Sequence, residues 1–418
     1  MLSPGSKSWI EKYLNLLQEG EIEMNISLPK DIPVDEYLHF ALGNTGLLFG
    51  VPSKLLFAKN VGEETWTESE RLKVVYFESL LMVFKLKYID KDDYFPEFIE
   101  KLNLFYESGG NSQTTNWLKH LFGASGNAKL EEIINERIKI RKKIENNLWV
   151  NYLNNSLVFL DVILFRLYLD DESSSIAEKQ KEMAINAMQM ITYAVHEDNR
   201  IEQKGQAIFD IFLASSDLEE KDRDEVAKQF KTGISIKEIH LGNYLKGLFK
   251  RYLLDLAMIT VWAETEENEW DKKFIKKIST HLGISQEEQN ECMTLVETFI
   301  LQNHQTIPFL NSKKSYEKVF SSFSKRWIKI LDRNKDKLAT ELRESKELVI
   351  LIKKSATTEL TAEEKEKVKT QFLDVIKSMP ALAIFMLPGG ALLLPIVLKI
   401  IPDLIPSAFR ENEIENEK

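Results

Sequence analysis

Residues 184–203 read AINAMQMITYAVHEDNRIEQ. Ala184, Ala187, Met188, Ile191, Ala194 and Val195 recur at helical spacing and form one apolar stripe, where a half-buried strand would alternate. The stretch then turns acidic and polar. The same order returns 68 residues later, when Met-Ile-Thr at 190–192 reappears at 258–260. MITYAVHEDNRIEQ leads through a helical stretch to LASSDLEE, and MITVWAETEENEW leads through another to LGISQEE. Past the acidic loop the offset is 69, pairing Ile201 with Trp270, Leu213 with Leu282 and Ser216 with Ser285. Apolar helix, acidic loop, helix and capped helix in matched order predict a duplicated helical unit.

Outward from this core the reading stays helical. Thr67-Glu68-Ser69-Glu70 is a capping-box pattern before an apolar stretch to Ile89, and Ser285-Gln286-Glu287-Glu288 is a second. Ser108 to Asn127 reads as a loop around a short helix. Lys129 to Leu169 reads as one long helix or two in series. Its segment SLVFLDVILFRLYL (156–169) is apolar but short and carries Asp161 and Arg166, so a buried helix is expected rather than a membrane span. Asp170 to Ser175, DDESSS, is a linker candidate, and charged helical segments run from Ser315 to Lys354. No run of alternating strands appears. The expected fold is all-α: a multi-helix bundle with a duplicated unit and a proline-rich, membrane-associated C-terminal segment. The expected divisions are 1–175, 176–305, a connector at 306–360, and 361–418.

Composition agrees. Among 418 residues, 17 Gly and 11 Pro are too few for a turn-rich all-β protein. Cys292 is the single cysteine, which excludes an internal disulfide and a multi-cysteine zinc site; a small core residue is expected there. A net charge of −10 argues against a general nucleic-acid binder. No phosphate-binding loop, dinucleotide fingerprint, zinc-protease pair or nucleophile elbow occurs, and the six histidines are dispersed. A non-enzymatic protein is expected, with no catalytic residue assigned.

The C-terminal end departs from these averages. Ser378 to Leu398, SMPALAIFMLPGGALLLPIVL, holds no charge. About 20 helical residues cross ~30 Å, so the run is a membrane-segment candidate. Its Leu, Ile, Phe and Val side chains supply about −3 to −6 kcal/mol of insertion free energy. Pro380, Pro388 and Pro395, with Gly389 and Gly390, oppose a straight helix, so a kinked span or a re-entrant hairpin is as compatible. The alternative is a soluble protein that buries this run as its last helix. Lys365, Lys367, Lys369 and Lys377 precede the run, while Lys399 and Arg410 follow it, which favours a cytoplasmic body. Met1 to Glu23 has neither the basic-then-apolar pattern of a secretory signal nor an arginine-rich transit composition.

Two resemblances follow. Residues 197–201 (Glu-Asp-Asn-Arg-Ile) and 266–270 (Glu-Glu-Asn-Glu-Trp) resemble the acidic loop of TerB-like and DnaJ-like-A N-terminal helical domains. Asn199 and Asn268 stand where those domains have glycine, and asparagine tolerates the left-handed conformation. The resemblance implies an interaction or sensing module. It also makes Asp198 with Glu202, and Glu267 with Asp271, candidate oxygen ligands for a divalent cation, the only cofactor implied. The plainer reading is that these acids cap helix starts, since Lys204 and Lys273 fall near the family's glutamate position.

From Leu360 the chain reads LTAEEKEKVKTQFLDVIKSMPALAIFMLPGGALLLPIVLKIIPDLIPSAF, which resembles the membrane segment of the Letm family. Leu393, Leu394, Pro395, Lys399, Pro402, Pro406, Ser407 and Phe409 match its closing pattern, with Ile401 and Ile405 as conservative departures. The resemblance implies a membrane-anchored protein with membrane lipid as partner, self-association or a protein partner for the helical body, and no nucleic acid. A bacterial inner-membrane location, with an envelope or biofilm association, is the expectation. Its alternatives are a component of potassium or calcium/proton exchange and a ribosome-associated membrane factor. In the family this motif continues into a large helical domain, described as ribosome-binding in related members, which is not expected here, so exchange activity is not carried over.

Overall fold

Thr67 starts its helix as the sequence predicts. Its hydroxyl accepts from the Glu70 N–H at 3.2 Å, and the Glu70 carboxylate accepts from the Thr67 N–H at 2.9 Å. This reciprocal cap satisfies two of the donors a helix start leaves open. In the computed structural model, the residues described are 1–26, 28, 32–52, 54–88, 94–109, 126–140, 154–172, 175–196, 203–242, 247–264, 272–305, 307 and 313–377. Among them every regular element is helical, and one isolated bridge, Lys139 to Asn154, is the β-type pairing.

The chain packs as two compact units, residues 1–28 with 32–289, and 29–31 with 290–418. The first holds α1 (Trp9–Gln18), α2 (Val34–Gly43), α3 (Glu68–Lys87), α4 (Phe95–Ser108), α5 (Gly126–Arg137), α6 (Phe159–Tyr168), α7 (Ile176–Val195), α8 (Gln203–Ser215), α9 (Glu220–Thr232), α10 (Gly247–Glu264) and α11 (Lys272–Leu282). The boundary falls within α12 (Gln286–Asn303). The second unit holds α13 (Lys313–Arg333), α14 (Lys335–Glu344), α15 (Lys346–Thr357) and α16 (Ala362–Lys377).

In the first unit α3 is buried along most of its length, from Leu72 to Leu86, so it is a central helix and not an amphipathic surface one. Aromatic edges join it to its neighbours. Trp9 and Tyr13 of α1 meet Phe77 at 5.5 and 5.2 Å, and Phe98 of α4 lies 5.6 Å from Phe77 and 5.4 Å from Phe84. Ser8, ahead of α1, has φ 62° and makes no cap with its own side chain. Glu131 of α5 caps that end instead, accepting from the Ser8 and Ile10 N–H groups at 2.9 Å each.

α7 and α10, which carry the two Met-Ile-Thr copies, form the most extensive helix pair of the unit. The six stripe residues of α7 are all buried. Thr192 and Thr260 are fully buried and behave alike, each donating its hydroxyl to the carbonyl four residues back, Met188 at 2.9 Å and Leu256 at 2.7 Å. The apolar segment 156–169 forms α6 and is buried as expected. The second predicted capping box is also formed, with Ser285 N–H on Glu288 at 2.8 Å and Glu288 N–H on the Ser285 hydroxyl at 3.2 Å.

In the second unit α13 buries Val319, Phe323, Trp327 and Leu331, one residue per turn. α16 lays Val368, Phe372 and Val375 inward and packs on α14 and α15. Its start carries a cap of the same kind: Thr361 N–H donates to the Glu364 carboxylate at 3.0 Å, and Glu364 N–H donates to the Thr361 hydroxyl at 3.2 Å. Among the described residues no helix is long and apolar enough to cross a membrane. The run Ser378–Leu398 lies outside them.

Candidate functional site

Lone charges within apolar helices are the chemically distinctive feature of the first unit. Arg137, the last residue of α5, is buried and reaches Asp161 of α6 through two hydrogen bonds, Nε and Nη2 each 2.6 Å from a carboxylate oxygen. Its Nη1 donates to Asp217, in the loop between α8 and α9, at 3.0 Å. Asp217 has φ 54°, a left-handed conformation that aspartate tolerates better than most side chains. Tyr76 of α3 donates to Asp161 at 2.5 Å, and Tyr106 of α4 lies 2.5 Å from the Tyr76 hydroxyl. Burial disfavours the guanidinium charge, but Asp161 and Asp217 outweigh it and hold Arg137 protonated. Burial, then Asp161, pushes Tyr76 up, so its proton stays in place. Two crevices flank the cluster, of about 10 and 20 Å³, which is room for a water and not for a metabolite. The arrangement is a filled network joining five segments.

A second polar seam ties α2 to α10. His39 Nε2 lies 2.5 Å from Asp255 Oδ2, with both side chains fully buried. Beside them Arg251 lies 3.5 Å from Glu36 and 3.2 Å from Glu288. Burial, then Asp255, raises the Tyr252 phenol, which keeps it neutral. The third feature is Glu78 of α3. Its fully buried carboxylate accepts from the N–H groups of Leu56, Phe57 and Ala58 at 2.7, 3.2 and 2.6 Å, and from the Tyr13 hydroxyl at 3.0 Å. Three of these donors, Tyr13, Phe57 and Ala58, converge on Oε1, and Leu56 alone reaches Oε2. Burial pushes the carboxyl up to about 7, against the opposing pull of those donors.

In the second unit Glu297 is fully buried and accepts from Ser322 at 2.7 Å and from Arg326 at 3.2 and 3.3 Å. Burial raises its carboxyl, and Arg326 pulls in the opposite direction. Arg326 also donates to Asn290 at 3.2 Å.

Asp198, Glu202, Glu267 and Asp271 lie outside the described residues, as do Asn199 and Asn268. So do Pro380, Pro388, Gly389, Gly390, Leu393, Leu394, Pro395, Lys399, Pro402, Pro406, Ser407 and Phe409. His196, beside the first acidic loop, turns to the Phe230 carbonyl, 2.7 Å from Nε2. Each buried acid has a sequence signal, a single carboxylate inside an apolar run, as in VVYFESLLMVF, LVFLDVILF and RYLLDLAMI; of these, Asp161 is named from the sequence alone, without a partner.

Comparison with known proteins bears on the other end of the chain. Residues 360–418 match the family model described as LETM1-like, RBD. The chain is 36% identical over 84 residues to the LETM1 domain-containing protein YLH47, mitochondrial, of Saccharomyces cerevisiae, a match covering 19% of this chain and 18% of that protein. The chain thus spans less than a fifth of that relative's length. No solved structure matches.

Proposed function

From the premise that the chain is a relative of the Letm family, we propose that it is a non-enzymatic protein anchored to a membrane through residues 378–406. The observation that carries this reading is the family match over 360–418, which contains the uncharged run Ser378–Leu398. α16 leads directly into that run, and its inward Val368, Phe372 and Val375 fasten it to α14 and α15. The anchor therefore starts from a packed helix. The excess of lysines before the run keeps the helical body on the cytoplasmic side. The duplicated, TerB-like region at 176–305 serves as the interaction or sensing module. The shared order of α7–α9 and α10–α12, with equivalent Thr192 and Thr260 contacts, supports that reading.

Membrane fractionation tests the anchor. The full chain is expected in the membrane fraction after a high-salt wash, and a chain lacking 378–418 in the soluble one. Full-length protein recovered as soluble, or no change on the deletion, refutes it. A ribosome-associated role is the second reading, favoured by the RBD label of the matched family model; co-sedimentation of the full chain with ribosomes tests it. Cation/proton exchange has less support, because no ionisable residue lies between Lys377 and Lys399 to line a path.

A further inference from the structure

Charge is unevenly distributed along the chain. From residue 1 to 312, 49 acids face 35 lysines and arginines; from 313 to 377 the balance reverses, with 17 basic residues and 11 acids. α13 turns this excess into a face. With Val319, Phe323, Trp327 and Leu331 inward, Lys325, Lys329 and Arg333 follow one another every four residues along the exposed side. Lys335 and Lys337 of α14 are exposed as well. Asp332 and Asp336 share this surface, leaving it net positive.

These five side chains have no ion-pair partner among the described residues. On α15 and α16 four lysines are ion-paired among the described residues: Lys354 to Glu364 at 2.6 Å, Lys365 to Glu359 at 3.0 Å, Lys367 to Glu347 at 3.0 Å and Lys369 to Glu366 at 2.8 Å. Arg326 is drawn inward by Glu297. Among the described residues no carboxylate pairs with Lys325, Lys329, Arg333, Lys335 or Lys337. An unpaired basic row on a packed helix is a fixed electrostatic surface, since the side chains need not break an internal pair to meet an outside anion.

We propose that the outer face of α13 and the start of α14 docks on an anionic lipid bilayer. The inference rests on the membrane reading above and names the headgroup charge that the second unit meets. Charge complementarity selects this occupant: the same unit continues in sequence into the uncharged run, and a basic segment next to a membrane insert gains from the negative surface potential of the leaflet. Each basic side chain near such a surface is worth about fivefold in partitioning, so three give roughly 100-fold at low salt, less as salt screens them.

The test uses the full chain and two kinds of vesicle, phosphatidylcholine alone and phosphatidylcholine with phosphatidylglycerol. Wild type is expected to prefer the phosphatidylglycerol vesicles, with the preference lost as salt rises. The triple variant Lys325→Gln, Lys329→Gln, Arg333→Gln is expected to lose roughly 100-fold of that preference. It should keep its binding to phosphatidylcholine and its thermal melting profile. A triple variant that keeps the full preference overturns the proposal. So does one whose binding to polyuridylate weakens while its vesicle preference stays, since the face would then read nucleic acid. Leu393→Lys with Leu394→Lys separates the two readings: it should abolish binding to phosphatidylcholine and leave salt-sensitive binding to phosphatidylglycerol. If that variant still binds phosphatidylcholine, the anchor reading fails and the docking face stands or falls on the first comparison.

Discussion

Replacing Glu78 by glutamine probes a fully buried carboxylate of the first unit. The wild-type carboxyl is pushed up to about 7 by its apolar surroundings, from an ordinary 4.5. The folded chain therefore binds this proton more tightly than the unfolded chain does. The stability this linkage supplies is present in full below about pH 4.5 and is lost as pH rises through 7. At 1.36 kcal/mol per pH unit the whole effect is about 3 kcal/mol. A glutamine at this position would not titrate, but its NH2 would take the place of Oε2 and face the Leu56 N–H, leaving that donor unmatched at a cost of about 1–3 kcal/mol, while its amide oxygen keeps Tyr13, Phe57 and Ala58. The expected outcome is a variant clearly less stable than wild type at pH 5.5, with the gap narrowing by about 2 kcal/mol toward the cost of the unmatched donor by pH 8. Urea unfolding of both proteins across that range measures the difference, in which other titrating groups cancel. Parallel pH profiles for the two proteins would refute the reasoning, because Glu78 would then be ionised throughout.

Other outcomes follow from the same contacts. Arg137→Met leaves Asp161 and Asp217 without their cation and should cost about 3–5 kcal/mol in urea unfolding; adding Asp161→Asn should recover part of it. Glu131→Ala removes the cap of α1 and should cost about 1–2 kcal/mol, with faster amide exchange at Ser8 and Ile10. Thr361→Ala should destabilise the start of α16 by about 1 kcal/mol, read as faster exchange at the Glu364 amide.

The helices were legible because their signals are local. The α7 stripe, the Thr67 and Ser285 caps and the apolar α6 all depend on residues within a few turns of one another. The charge network was not legible, because partners such as Arg137 and Asp217 lie 80 residues apart and only packing brings them together. A buried acid in an apolar run announces that it needs a partner, without naming it. α1 shows the same limit: the carboxylate that caps it, Glu131, lies 123 residues away from Ser8 in sequence. The face of α13 lies between these cases. The lysine spacing is visible in the sequence, but which cations are already spent on Glu297 or Glu347 is a matter of tertiary contact.

Arg137 also has a consequence for how the first unit comes apart. It clasps α5, α6 and the α8–α9 loop, while α6 packs on α7 across the DDESSS segment. Severing the chain within 170–175 would cut one covalent connection and leave those contacts in place. The two fragments should then co-elute and melt in one transition, as a complementing pair. The sequence boundary at 170–175 would be a break in the covalent chain without being a break in cooperativity.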